Sequence, residues 1–195
     1  MNREIFCKNS IGLLILAGGK SERMGRDKAG LVLSGATFAE TLAMNMGSYG
    51  ERLFSSDRGP VPDGFSLLRD EPELAGMGPM AGIATALLSC KSRALMVVPC
   101  DCPFMDSYEG EKLAEAFIHS DCSIPVIAAG ERGAEPLIGI YPKGLGQFVR
   151  SRLLAGERKA LDILEKAGFR TVETDRDKLI NINTPEDYIR YGKGR

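Results

Sequence analysis

The sequence has no tryptophan and a single histidine, His119, among 195 residues. A Ser–His–acid catalytic group would depend on that one histidine, which falls in a predicted helix and reads as a surface residue. The five cysteines (Cys7, Cys90, Cys100, Cys102, Cys122) form no C-x-x-C pair. Their odd number, the missing C-x-x-C pair and the single histidine argue against a disulfide scaffold and against a structural zinc site. A basic excess is also missing: 25 Lys+Arg stand against 26 Asp+Glu, a formal net charge of -1. A nucleic-acid coat or a binder of anionic membranes is therefore not favoured. Ile5-Phe6-Cys7 is too short for a signal peptide, and the run Ile11 to Ala17 is too short to span a bilayer. The expectation is a reduced, cytoplasmic enzyme or binding protein without nucleic-acid or membrane partners.

The composition is ordinary for a globular chain, with 44% hydrophobic and 26% charged residues. The length suits one domain with a sizeable core. Ile11 to Leu16 is continuously apolar and stops at Ala17-Gly18-Gly19, which reads as a strand buried on both faces. Ala94 to Val98 reads the same way and is closed by Pro99-Cys100-Asp101-Cys102-Pro103. Further strands are expected near Arg52–Ser56, Phe65–Arg69, Ser123–Ala128, Pro136–Tyr141 and Phe169–Thr174. Helices are expected near Thr37–Met46, Met80–Leu88, Glu109–Ile118, Leu145–Ala155 and Lys159–Ala167. A last short helix should begin at Thr184, which can cap it, with Pro185 at its first position and Glu186 and Asp187 at its positive end. Alternating strands and helices predict an α/β fold of three layers, with a mainly parallel sheet between helices.

Ligands of such sheets bind beyond the carboxyl ends of the strands. The first strand opens there into a glycine-rich stretch. Between Lys20 and Lys28 it carries four cations (Lys20, Arg23, Arg26, Lys28) against two anions (Glu22, Asp27). Glycines let the backbone approach an anion closely, and a local positive excess suits a polyphosphate. A Walker A loop is excluded, because the glycine it needs would fall at Leu14 inside the strand. Gly76-x-Gly78-x-x-Ala81 imitates a dinucleotide turn but follows no strong strand and contains Pro79. The second strong strand delivers Asp101 to the same edge, where a carboxylate facing phosphates is a natural ligand for Mg²⁺. Cys100 and Cys102 beside it read as packing residues.

Together, Leu16-Ala17-Gly18-Gly19-x-Ser21-x-Arg23-Met24-Gly25-x-Asp27-Lys28 resembles the signature of the molybdenum cofactor guanylyltransferases, the molybdopterin-guanine dinucleotide synthesis protein A family. Gly78-Pro79-Met80-Ala81-Gly82-Ile83, Val98-Pro99-Cys100-Asp101-Cys102-Pro103-Phe104 and Asn181-Ile182-Asn183-Thr184-Pro185-Glu186-Asp187 match in the family's order. The resemblance spans nearly the whole chain. It implies a single Rossmann-like nucleotidyltransferase domain over residues 1–195. The implied reaction joins GMP from GTP to molybdenum-bound molybdopterin, with Mg²⁺ as cofactor and pyrophosphate as the second product. Transient contact with other proteins of cofactor synthesis, or with acceptor enzymes, is compatible with it.

By resemblance, Leu16, Ala17 and Gly18 hold guanine and ribose through the backbone, and Asp70 takes part in the nucleotide pocket. Arg23 and Lys28 bind phosphates and act with Asp101, the implied Mg²⁺ ligand, in catalysis. Gly78, Gly82, Asn181, Asn183, Arg158 and Lys159 line the pterin-phosphate side. Read without the resemblance, Asn181 and Asn183 are equally turn residues before a capped helix, and Arg158 and Lys159 are solvated charges. The chain departs from the family at Ser55-Ser56, where an asparagine is common, and between Met24 and Lys28, where another residue is usual. The alternatives are a nucleotidyltransferase using CTP or a sugar phosphate, and a non-catalytic nucleotide binder.

Overall fold

The computed structural model describes residues 10–18, 32–33, 35–47, 49–57 and 60–192. Seven strands form one sheet in the order β5 (Ser66–Leu68), β4 (Arg52–Ser55), β1 (Ile11–Leu16), β6 (Ala94–Pro99), β8 (Gly133–Pro142), β7 (Val126–Gly130) and β9 (Arg170–Glu173). β8 alone runs against its neighbours; every other adjacent pair is parallel. A separate two-stranded ribbon pairs β2 (Val32–Leu33) with β3 (Ala36–Thr37). The mainly parallel α/β sheet agrees with the expectation. The reversed β8 and the ribbon were not foreseen.

The continuous apolar runs are explained by burial on both faces. Ile11, Leu13 and Ile15 of β1 pack on one side with Ala94, Met96 and Val98 of β6. Leu14 and Leu16 pack on the other side with Leu95 and Val97. The first side is covered by α1 (Phe38–Asn45) through Ala39 and Leu42, and by α3 (Ser107–His119) through Leu113 and Phe117. The second is covered by α2 (Pro79–Ser89), α4 (Gly146–Leu154) and α5 (Ala160–Ala167). Full burial of each such aliphatic side chain contributes about 1.5–3 kcal/mol.

Local signals fix the helix ends. Thr37 caps α1 in a capping box, exchanging bonds with Glu40, and Asp106 caps α3 by accepting from the Glu109 amide. Gly139 shows why β8 needs a glycine where it crosses β7. A β-carbon there would lie 2.5 Å from the Val126 carbonyl oxygen and 2.7 Å from Ile127 Cα. Among the described residues no helix is long and apolar enough to cross a membrane.

The chain order creates a crevice at one edge. From β1 the chain moves outward to β4 and β5, then returns by α2 to β6 on the other side of β1. The carboxyl ends of β1 and β6 therefore flank the point where strand order reverses, the usual place for a ligand in an open α/β sheet.

Candidate active site

Leu16 is paired with Pro99, and the Cys100 amide donates to the Leu16 carbonyl at 2.9 Å. One residue further, Asp101 stands half-buried at the end of β6, next to the strand end that Ala17 and Gly18 follow. The two strand ends singled out in the sequence therefore meet at one rim.

A third segment closes on them. The Ile182 amide donates to the Asp101 carbonyl at 2.8 Å. Ile182 is fully buried with Leu33 and Phe38, flanked by Phe104, Ile180, Tyr188 and Tyr191. It seats the segment, so Asn181 (exposed) and Asn183 (half-buried) are held on either side of Asp101's neighbour. Downstream, Thr184 Oγ1 accepts from the Asp187 amide at 3.1 Å. The Asp187 carboxylate accepts in return from the Asn183 and Thr184 amides at 3.1 and 3.0 Å. This reciprocal cap starts α6 (Pro185–Gly192), as the Thr-Pro-Glu-Asp sequence predicts. The buried anchor role of Ile182 was missed in the sequence, although a lone isoleucine between two asparagines before a cap is its visible trace.

Two backbone groups of the first turn are already engaged. The Leu16 carbonyl takes the Cys100 amide, and the Ala17 amide donates to the Ser55 carbonyl at 2.8 Å. Leu16 itself is buried. Of the three residues expected to hold the nucleotide through the backbone, Gly18 is exposed and Ala17 half-buried. Arg23 and Lys28 lie outside the described residues.

Asp70 follows β5 and is half-buried on the same rim. Burial, with the nearby Asp57 carboxylate, raises its pKa. The loop it opens is pinned on both sides. The Glu71 amide donates to Thr85 Oγ1 at 3.1 Å, and Arg150 pairs with Glu71 at 2.9 Å and with Glu73. Gly78 ends that loop at φ +89 as the residue before α2, exposed and with open space where a side chain would stand.

Gly82 sits deeper than Gly78. It is buried in α2, and a β-carbon there would meet Ser55 Oγ at 2.6 Å and Leu16 Cδ2 at 3.3 Å. The structure gives this glycine a packing role, because α2 lies this close to the ends of β1 and β4.

Arg158 and Lys159 are exposed in the turn between α4 and α5. α4 starts beside the last turn of α2, with Gly146 against Leu87 and Leu88, and runs back toward the rim. Both residues reach rim height on the α2 side. Arg158 donates to the carbonyls of Leu153 and Glu157 at 2.6 and 2.8 Å, so it also closes the end of α4.

Among the described residues no three Asp, Glu, His or Cys side chains gather as a metal cage. Cys100 and Cys102 are buried in the core, as packing residues should be. His119 is exposed, its Nδ1 2.8 Å from the Glu115 carbonyl on the same helix. Asp101 therefore stands outside any full protein shell for a metal among the described residues.

Residues 13–172 match the family of MobA-like NTP transferase domains. A molybdenum cofactor guanylyltransferase from Shewanella sp. (strain MR-4) is 33% identical over 183 residues, covering 90% of this chain and 92% of its own. A probable molybdenum cofactor guanylyltransferase from Carboxydothermus hydrogenoformans is 30% identical over 187 residues, covering 92% of this chain and 93% of its own. The crystal structure of molybdopterin-guanine dinucleotide biosynthesis protein A from Archaeoglobus fulgidus shares the fold, with a TM-score of 0.77 at 22% identity over 93% of this chain and 97% of that one. A matching family over most of the chain, relatives of nearly equal length and a reversal crevice built at the ends of β1 and β6 agree: the chain belongs to the MobA-like NTP transferase family and is a nucleotidyltransferase.

Proposed function

We propose that the protein transfers GMP from GTP to molybdenum-bound molybdopterin, giving the molybdopterin guanine dinucleotide cofactor and pyrophosphate. The observation that carries this reading is the double lock on Asp101. Its neighbour's amide ties it to β1 and its carbonyl receives Ile182, at 2.9 and 2.8 Å. The backbone that carries this one carboxylate is tied to the end of β1 on one side and to the Asn181–Asn183 segment on the other. The names of relatives 33% and 30% identical supply the substrate class.

The rim fits Mg²⁺ carried on a triphosphate. A single carboxylate on a tethered backbone suits an ion that keeps several waters and takes phosphate oxygens for the rest of its shell. Asp101 would hold it; when bound, the ion neutralises phosphate oxygens and eases departure of pyrophosphate.

The chain's own residues do the positioning. The turn at Ala17 and Gly18 and the rim at Asp70 receive guanine and ribose. Arg23 and Lys28 bind the phosphates. Asn181, Asn183 and Gly78, with Arg158 and Lys159 across the rim, receive the acceptor. A terminal phosphate oxygen of the acceptor attacks the α-phosphorus of GTP in line. One P–O bond forms and the α–β anhydride bond breaks, its electron pair leaving with pyrophosphate. The nucleophile is an ionised phosphate, so no protein base is needed, and catalysis rests on alignment and charge.

The test is pyrophosphate release from Mg²⁺, GTP and molybdopterin. Asp101→Ala should remove turnover while the melting temperature stays near that of the parent. Full turnover in that variant would reject the assignment. A thermal-shift panel with GTP, CTP, ATP and UTP should show the largest rise with GTP. A larger rise with CTP would favour the cytidylyl reading.

A further inference from the structure

The geometry points to Glu135 as a specificity residue for the acceptor: its carboxylate takes the paired N–H groups of a 2-amino-4-oxopyrimidine ring, the donor edge of a pterin. This rests on the reaction proposed above.

β8 enters the sheet at the rim, because it runs opposite to β6 and β7. Glu135 lies near its start, paired with Ala128, two residues before the rim end of β7 at Gly130. The register then jumps, since the next residue of β7 back from the rim, Ile127, faces Gly139. Residues 136–138 bulge out of the ladder, and the Tyr141 hydroxyl, donating to the Pro136 carbonyl, pins that bulge. Glu135 is thus held on the β7–β8 half of the rim, on the opposite side of β6 from β1, β4 and β5. Those three strands carry the turn and the aspartate assigned to the nucleotide.

Five glutamates are at least half-buried among the described residues. Four are held by donors. Glu51 accepts from the Lys91 and Ser92 amides, and Glu71 from Arg150. Glu109 pairs with Lys112, and Glu157 with Arg152 and Lys166. Glu135 is the fifth. It accepts no hydrogen bond from any described residue, and only the charge of Arg132 at the hairpin tip acts in its favour. Its oxygens are not sealed inside the protein, so at the rim of the crevice they are open to donors that a ligand carries. Two parallel N–H donors are the best match for two carboxylate oxygens. Guanine presents the same edge as a pterin, so the chemistry alone fits both. Placement across β6 from the nucleotide turn selects the acceptor.

Steady-state transfer from GTP to molybdopterin, compared between the parent, Glu135→Gln and Glu135→Ala, separates the sources. Glu135→Ala should raise the acceptor KM by roughly ten- to a hundredfold, the range for a hydrogen bond to a charged group. Its kcat and GTP KM should stay within about twofold, the pattern of a lost uniform-binding contact. Glu135→Gln, which keeps the shape and one acceptor oxygen, should fall between. An unchanged acceptor KM overturns the proposal. A raised GTP KM with weakened preference for GTP over ITP also overturns it, by assigning the carboxylate to guanine. Titration with 6-hydroxymethylpterin, read by the fluorescence of the pterin ring, gives an arm without turnover. Pterin binding that Glu135→Ala weakens, in a parent that transfers no GMP, would keep this contact and reject the reaction. Transfer that proceeds equally in parent and variants would do the reverse.

Discussion

The amide of Ile182 donates to the carbonyl of Asp101 at 2.8 Å, joining the segment before the last helix to the end of the central strand β6. Eighty residues of chain separate them, yet the bond ties the backbone of Asp101 to the segment in which Asn181 and Asn183 flank Ile182. The side chain of Ile182 is what holds it there. Ile182→Ala should cost about 2–4 kcal/mol, measured by urea denaturation, because it leaves a cavity among Leu33, Phe38 and Tyr188. Turnover should fall even at temperatures where the variant is fully folded, whereas Ile182→Val should keep most of both.

The reciprocal cap at α6 gives a second expectation. Thr184→Ala removes the acceptor for the Asp187 amide and should cost about 1 kcal/mol. For a chain of this size that is a fall of about 2–4 °C in melting temperature. Asp187→Asn should lower activity as well as stability, because the carboxylate holds the amide of Asn183. Equal activity in the parent and Asp187→Asn would separate the cap from the site.

Acid titration should reveal Glu157. Hydrogen bonds from Arg152, then Lys166, lower its pKa from 4.5 to about 2. A depressed carboxylate contributes stability that is complete above its ordinary value of 4.5 and is lost as pH falls toward 2. The gap in melting temperature between the parent and Glu157→Gln should therefore be open at pH 7, narrow below pH 4 and close near pH 2. A gap independent of pH would mean the ion pairs contribute nothing.

Two glycine substitutions should behave oppositely. Gly139→Ala drives a β-carbon into the Val126 carbonyl and Ile127 Cα, backbone atoms that cannot rotate away. The cost should reach about 3 kcal/mol or more and appear as lost soluble yield. Gly144→Ala meets nothing within 4 Å and should change the melting temperature by no more than about 1 °C, within the small effects usual for open surface positions.

What could be read from the sequence depended on whether a residue's role is local. Ile11 to Leu16 and Ala94 to Val98 announce strands covered on both faces, because continuous apolar runs have no other economical setting in a soluble chain. Thr184-Pro185 announces a helix start through atoms within four residues. The direction of β8 is different: its residues would pair equally well either way, and only the short Gly130–Gly133 turn to β7 decides it. Gly82 was legible as a glycine with a purpose but not as to which, since close packing and close ligand approach require the same missing side chain. Glu135 carried no signal, because a lack of donors is a property of neighbours brought together from elsewhere in the chain.

The reversal of β8 has a consequence for variation. Its entry turn, Glu131 and Arg132, stands exposed on the catalytic edge although β8 itself passes through the centre of the sheet. Insertions or exchanges at that tip would project over one half of the crevice without shifting the pairing of β1 with β6. The hairpin can therefore change in length or charge while the floor formed by β1 and β6 stays as it is.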